Sequence, residues 1–358
     1  MKNNNLQRYL NETKKNIDIN LNEFFDIRLK RAKELNINYY DLVKQTAKVT
    51  TQGGKRLRPA LAIIGYHVAG GKEIKKMIKA AVALEIFHNF LLIHDDIMDK
   101  DDMRHGDKNV SGVYFDKLQK KLSSDDARHV ATCFSILAGD MNCGFTYEAI
   151  LGAGFNDDVT LSAVARLNDA IFEVGAGQYL DVLGTYSETL NLDQIEAINL
   201  HKTADYSVVM PLQYGAILAN GSDVLARQFA KYGKCAGVAF QISDDILGVF
   251  GTTDNAGKPI GSDISESKQT MLMHFGLELA SDAHKKILQS KLGKKNITSQ
   301  DIEAVRSILT DCGAKSKAES IAQSLADEAC VQVNKISANS DSKELLIEFA
   351  NYCVSRIV

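Results

Sequence analysis

Apolar positions recur along this chain at the three- and four-residue spacing of amphipathic helices. In residues 1–50 the pattern runs Leu21, Phe24, Phe25, Ile27 and Leu29, then Leu35, Ile37, Leu42 and Val43, which predicts a capping helix or helix pair. A short helix is expected after Gly71, followed by a long one that begins near Ile74 and runs past Asp99. Further helices are predicted from Ser124 to Ala153, from about Leu161 to Leu183, across residues 193–220 with an interruption at Pro211, and through KCAGVAFQIS to Asp245. Residues 275–358 return to ordinary amphipathic helices, with a helix start at Asn296-Ile-Thr-Ser-Gln-Asp. With three prolines and no tryptophan in 358 residues, breakers are scarce, and the expectation is an all-α protein.

The pattern is broken where polar residues cluster. The stretch Leu84–Gly106 reads LEIFHNFLLIHDDIMDKDDMRHG, an apolar run of about three helical turns that ends abruptly in acids. Asp95 and Asp99 are four residues apart and leave one helix face, so two like charges meet beside a hydrophobic segment and call for a cation. Hard divalent ions take carboxylate oxygen, and magnesium favours one or two carboxylates together with substrate phosphate. A second apolar helix ends the same way at Asp244-Asp245, which suggests opposing helices that share a metal cluster. His88 lies two turns before Asp95 on the same face, and Arg104 follows Asp99 by five residues. The segment Thr51–Pro59, TQGGKRLRP, delivers Lys55, Arg56 and Arg58 to a helix N-terminus, where free N–H groups favour an anion; by itself it reads equally as a basic surface turn. Lys202 and Thr203 sit mid-helix in an apolar context, either contacting a ligand or with the lysine snorkelling to solvent. Gln178 and Asp181 face one way on their helix, and Lys258 and Lys268 follow the second acidic motif.

Composition narrows the chemistry. A net charge of -3 gives no reason to expect nucleic acid or an anionic membrane surface. Six scattered cysteines lack metal-finger spacing and suit a reducing cytoplasm, the N-terminus is too polar for a signal peptide, and no membrane span is expected. There is no phosphate-binding glycine loop and no nucleophile triad, so nucleotide chemistry and acyl transfer lack their parts. What remains is chemistry in which a diphosphate departs, its charge met by magnesium and fixed cations, with an apolar run lining a dry pocket for a greasy chain.

GGKRLRP, LLIHDDIMD with Arg104 and Gly106, HKT, QISDDILGVFG and GKPIGSDI stand in the order found in the trans-isoprenyl diphosphate synthases, and residues 50–270 resemble that family closely. The resemblance implies a single domain over 1–358, with structural helices at 1–50 and 275–358, antiparallel helices around a central cavity, and a homodimer. It implies condensation of isopentenyl diphosphate with an allylic diphosphate. Asp95, Asp99 and Asp244 would hold three magnesium ions per site, and Arg104, Lys202 and Lys258 would contact the allylic diphosphate. Lys55, Arg58 and His88 would grip isopentenyl diphosphate, Thr203 and Gln241 would flank the nascent cation, and Lys268 would close a lid. Phe90, five residues before Asp95, would floor the elongation cavity and resembles the arrangement in geranylgeranyl makers. Farnesyl or longer products, a non-catalytic subunit of a heteromer and a terpene cyclase are the rival readings; cyclases lack the GGKRLRP site, and non-catalytic subunits usually lose an acidic motif.

The chain departs from the family at His105, where a second arginine is usual, and at Gly248, where a fifth acid often stands. Histidine is only partly charged at neutral pH and cannot clamp a phosphate bidentately. His105→Arg is expected to lower the Michaelis constant for isopentenyl diphosphate and to flatten its pH dependence between about pH 6 and 8. Steady-state kinetics check this, and an unchanged constant would refute it.

Overall fold

The computed structural model describes residues 5–104, 106–186, 189–251, 260–294 and 296–356. The described residues are almost wholly helical, and their only strands form a two-residue antiparallel hairpin, β1 (Met103–Arg104) with β2 (Asp107–Lys108). The all-α expectation holds. Contacts divide the chain into two compact units, residues 1–165 with 214–221 and residues 166–213 with 222–358.

The first unit contains the predicted N-terminal pair, α1 (Asn5–Leu35) and α2 (Ile37–Thr51), separated by Asn36, whose side chain accepts from the amides of Asn38 and Tyr39. Then come α3 (Leu57–Val68), α4 (Ile74–Asp99), α5 (Val110–Leu118) and α6 (Ser124–Leu151). No separate helix follows Gly71: the Glu73 amide donates to the Tyr66 hydroxyl, and the chain enters α4 directly. The spine is α4, against which α1, α3 and α6 pack. It is apolar around its whole circumference, and residues 80–87 are buried without a break. It is also long and apolar enough to cross a membrane, but 67% of that window is buried within the protein, as befits a core helix. Its last turn ends at Asp99, with Lys100 in the left-handed conformation (φ 60°) as cap.

The second unit begins within α7 (Asp157–Tyr186) and continues through α8 (Leu192–Ile198), a π-helix over Asn199–Val209, the start of α9 (Met210–Leu218) and α10 (Asp223–Phe250). The helices α11 (Ser262–Ser265), α12 (Met271–Leu279), α13 (Asp282–Lys291), α14 (Ser299–Asp311), α15 (Ala314–Val333) and α16 (Ser340–Ser355) complete it. The predicted start near Asn296 is a capping box, in which Thr298 and Asp301 each bond the other's backbone amide. At its centre α10 packs against the π-helix, α15 and α16. The buried side of α15 is nearly all alanine (Ala314, Ala318, Ala322, Ala326 and Ala329), which lets helices approach closely.

The sequence predicts an interruption at Pro211, and the structure places the irregularity ahead of it. Pro211 has no N–H to bond back into the preceding turns, and the helical ladder widens over eleven residues. Two glycines hold this wide segment. A Cβ on Gly177 of α7 would lie 2.4 Å from the Lys202 amide nitrogen, and one on Gly237 of α10 would lie 2.5 Å from the Ala204 Cα. Only hydrogen fits at either contact. The backbone carrying Lys202 and Thr203 is thereby fixed between two helices.

Candidate active site

In the first unit the polar residues gather at the C-terminal end of α4 and in the turn before α3. The Arg104 guanidinium, brought back by the hairpin, pairs with Asp96 through two nitrogens and lies 3.5 Å from Asp95. Asp96 is the buried member of the acidic run, whereas Asp95 and Asp99 are partly exposed. Burial pushes the Asp96 carboxyl up to about 6, with Asp95 and Asp101 adding to the shift against the opposing pull of Arg104. A cavity of about 250 Å3 opens beside this pair, lined among others by Gln52, Gly53, Asn89, Leu92, Asp96 and Arg104. Arg104, expected on the allylic diphosphate, rests here on carboxylates.

In the turn before α3, Gly53 (φ 71°) and Gly54 (φ 74°) adopt left-handed backbone, as their sequence suggests. Lys55 is exposed and Arg58 half-buried. Arg56 differs from both: its side chain is only 2% exposed and points into the core, so the three cations do not act together as the sequence suggests. On α4 His88 is half-buried. Phe90 is buried, its ring edge-on to those of Phe87 (5.9 Å) and His94 (5.2 Å).

In the second unit one carboxylate organises the site. Asp181 Oδ2 accepts from Lys202 Nζ at 2.6 Å and from Lys268 Nζ at 2.8 Å. Although burial acts to raise it, the two ammonium groups hold the Asp181 carboxyl below the usual carboxylate range. The lysine does not snorkel, and Lys268, expected to close a lid, is buried in the same cluster. Next to it runs a chain of hydrogen bonds: the Thr203 hydroxyl donates to Gln241 Oε1 at 2.6 Å, and the Gln241 amide donates to Asp245 Oδ1 at 2.6 Å. Burial, and then the neighbouring Asp263, raise the Asp245 carboxyl well above its ordinary value. Asp244 Oδ1 lies 2.6 Å from the guanidinium of Arg356, which stacks 4.7 Å over the Phe240 ring.

Two of these features were not legible. Arg356 lies in the C-terminal stretch read as structural cover, and no spacing connects it to Asp244. At Gly248, the family's fifth-acid position, a Cβ would lie 2.4 Å from the carboxylate of Asp263, so an acid from a later turn already fills that place. His105 and Lys258 lie outside the described residues.

Among the described residues no three carboxylate, histidine or cysteine side chains converge to hold a metal unaided. The donor set nonetheless fits a hard divalent ion. Carboxylates are gathered at each acidic helix end, and Asp245 Oδ2 is buried with no hydrogen-bond partner among the described residues. An ion there would complete its sphere with phosphate oxygen and water.

An all-α chain in which two apolar helices end in paired aspartates, with a lysine set on a π-helix, has the features of a prenyl diphosphate enzyme. The chain belongs to the polyprenyl synthetase family, whose sequence pattern matches residues 40–309. It is 29% identical to the geranylgeranyl diphosphate synthase of Saccharolobus solfataricus over 99% of both chains. To the geranylfarnesyl diphosphate synthase of Aeropyrum pernix it is 30% identical, over 85% of this chain and 91% of the relative. A solved geranylgeranyl pyrophosphate synthase from Corynebacterium glutamicum, complexed with isoprenyl diphosphate and magnesium, superimposes with a TM-score of 0.89 at 28% identity, covering 97% of this chain and 99% of its own.

Asp181→Asn removes the negative charge shared by two ammonium groups and is expected to cost on the order of 3 kcal/mol at neutral pH. A carboxyl with a lowered pKa stabilises the fold above its ordinary pKa and ceases to do so as pH falls through the lowered value. The gap between wild type and variant in urea unfolding should therefore narrow below about pH 4. A gap that stays constant between neutral and strongly acidic solution would contradict the assignment.

Proposed function

We propose that this protein is a short-chain trans-prenyltransferase that joins isopentenyl diphosphate to an allylic diphosphate and makes chiefly geranylgeranyl diphosphate. The observation that carries the reading is the Lys202–Asp181–Lys268 cluster beside the acidic end of α10: two ammonium groups ready for a diphosphate, held until then on one carboxylate. On this reading Arg104, Lys202 and Lys258 bind the allylic diphosphate, and Lys268 backs them. Lys55, Arg58, His88 and His105 bind isopentenyl diphosphate. Asp95, Asp99 and Asp244 are the metal ligands, and magnesium, three ions per site, would supply positive charge to the departing diphosphate.

The allylic C–O bond breaks, and its electron pair leaves on the diphosphate, where the lysines meet it. The Thr203 hydroxyl hydrogen is committed to Gln241, and the Gln241 amide to Asp245, so on this reading Thr203 Oγ1 and the remaining lone pair of Gln241 Oε1 are left to meet the resulting carbocation. The terminal alkene carbon of isopentenyl diphosphate attacks that cation, forming the new C–C bond. The released diphosphate removes the proton that restores a double bond, and no side-chain base is required.

Phe90 floors the elongation cavity in this reading. Incubation with labelled isopentenyl diphosphate and each allylic primer should yield a twenty-carbon product, and Phe90→Ala should yield longer chains by chromatography. An unaltered product from Phe90→Ala removes Phe90 from the floor, and failure to consume isopentenyl diphosphate refutes the reaction.

The second unit also carries an apolar stripe on α7. Phe172 (84% exposed), Tyr179 (67%) and Tyr186 (56%) recur every seven residues on one face. We assign that stripe to a second copy of the chain. Sedimentation equilibrium should give twice the 39.3 kDa chain mass, and Phe172→Glu should reduce it to one. A monomeric wild type would rule the homodimer out.

A further inference from the structure

Arg56 stands between the two cations assigned to isopentenyl diphosphate, yet its guanidinium is turned away from solvent. Its left-handed backbone (φ 53°, ψ 41°) sends the side chain inward while Lys55 stays exposed. Nε donates to Asp18 of α1 at 2.8 Å, and Nη2 donates to the Thr51 carbonyl at the end of α2 at 2.7 Å. Nη1 reaches the Thr50 carbonyl at 3.5 Å and lies 3.3 Å from Glu85 Oε1 on α4. The Arg56 carbonyl also accepts from the Ala60 amide, so the same residue starts α3. One planar fork thus ties three helices to the beginning of a fourth.

The turn needs such an anchor. Gly53 and Gly54 precede Arg56 in left-handed conformations and have wide backbone freedom of their own. Glu85, only 4% exposed, sits on α4 one turn before His88 and has its second oxygen without a partner among the described residues, so the Arg56 charge is what makes its burial tolerable. We infer that Arg56 is a positioning residue for isopentenyl diphosphate: it clamps the 52–58 turn against Glu85 and Asp18, so that Lys55 and Arg58 are presented in one geometry to the anion. It acts through those two cations and does not touch the substrate. The inference rests on the proposed role of Lys55 and Arg58.

The test compares steady-state kinetics of the full-length enzyme in four forms: wild type, Arg56→Lys, the double variant Arg56→Met with Glu85→Gln, and Lys55→Ala. An ammonium keeps the charge but cannot reach acceptors on three helices. The double variant removes the buried charge pair together and stays folded where Arg56→Met alone would fail. Both Arg56 forms should raise the Michaelis constant for isopentenyl diphosphate about tenfold, leaving kcat and the constant for the allylic primer within about twofold. A merely structural residue would instead lower kcat and the melting temperature and raise both constants together, and that pattern would overturn the positioning role. If Lys55→Ala raises the isopentenyl constant while both Arg56 forms leave it unchanged, the clamp is overturned and the binding role of the turn survives. If Lys55→Ala also leaves it unchanged, the turn is not the isopentenyl site and both readings fall.

Discussion

A carboxylate taken out of water needs a countercharge or gives up its own charge, and this requirement runs through both units of the protein. Asp96 takes Arg104, Glu85 and Asp18 take Arg56, Asp181 takes two lysines, and Asp244 takes Arg356. Removing one partner from a buried pair such as Arg56 with Glu85 typically costs about 3–5 kcal/mol, more than most single core contacts. Arg104, Arg56, Lys202, Lys268 and Arg356 each rest on a carboxylate, whereas buried Asp245 bonds to Gln241 and its carboxyl is pushed well above its ordinary value instead.

The π-helix converts that charge balance into a defined geometry. An ordinary α-helical ladder over residues 199–209 would space Lys202 and Thr203 differently around the axis, because each turn would hold fewer residues. With glycine on both flanks, the backbone carrying the lysine is seated directly against α7 and α10, where Asp181 and Gln241 arise. The lysine stem then starts from a fixed backbone, and its ammonium meets Asp181 at 2.6 Å.

Much of this was legible in the sequence because its signals are local. The apolar run of α4, the paired acids that close it, the glycine turn and the helix start near Asn296 each lie within a few residues, and the structure matches them closely. The misses share another cause. Arg56 carries the same charge as its neighbours in GGKRLRP, and only the left-handed backbone decides that it turns inward. Pro211 marked the irregular helix, but whether a chain answers proline with a kink or with wider turns depends on what packs beside it. Arg356 and Asp244 are separated by more than a hundred residues of ordinary amphipathic helix, and no one-dimensional pattern joins them. Local chemistry can be read from order along the chain, whereas tertiary pairing cannot.

At Gly248 the helix gives up an acid of its own and receives one from elsewhere. The carboxylate of Asp263 approaches so closely that a residue larger than glycine would collide with it, and the amide of Lys268 donates to the Asp263 carbonyl in the same short turn. The charge at that end of α10 is therefore not owned by the helix. It is lent by a later turn, and the field around Asp245 depends on where that turn sits. A motif that loses a letter in the alphabet of the sequence can keep its meaning in space.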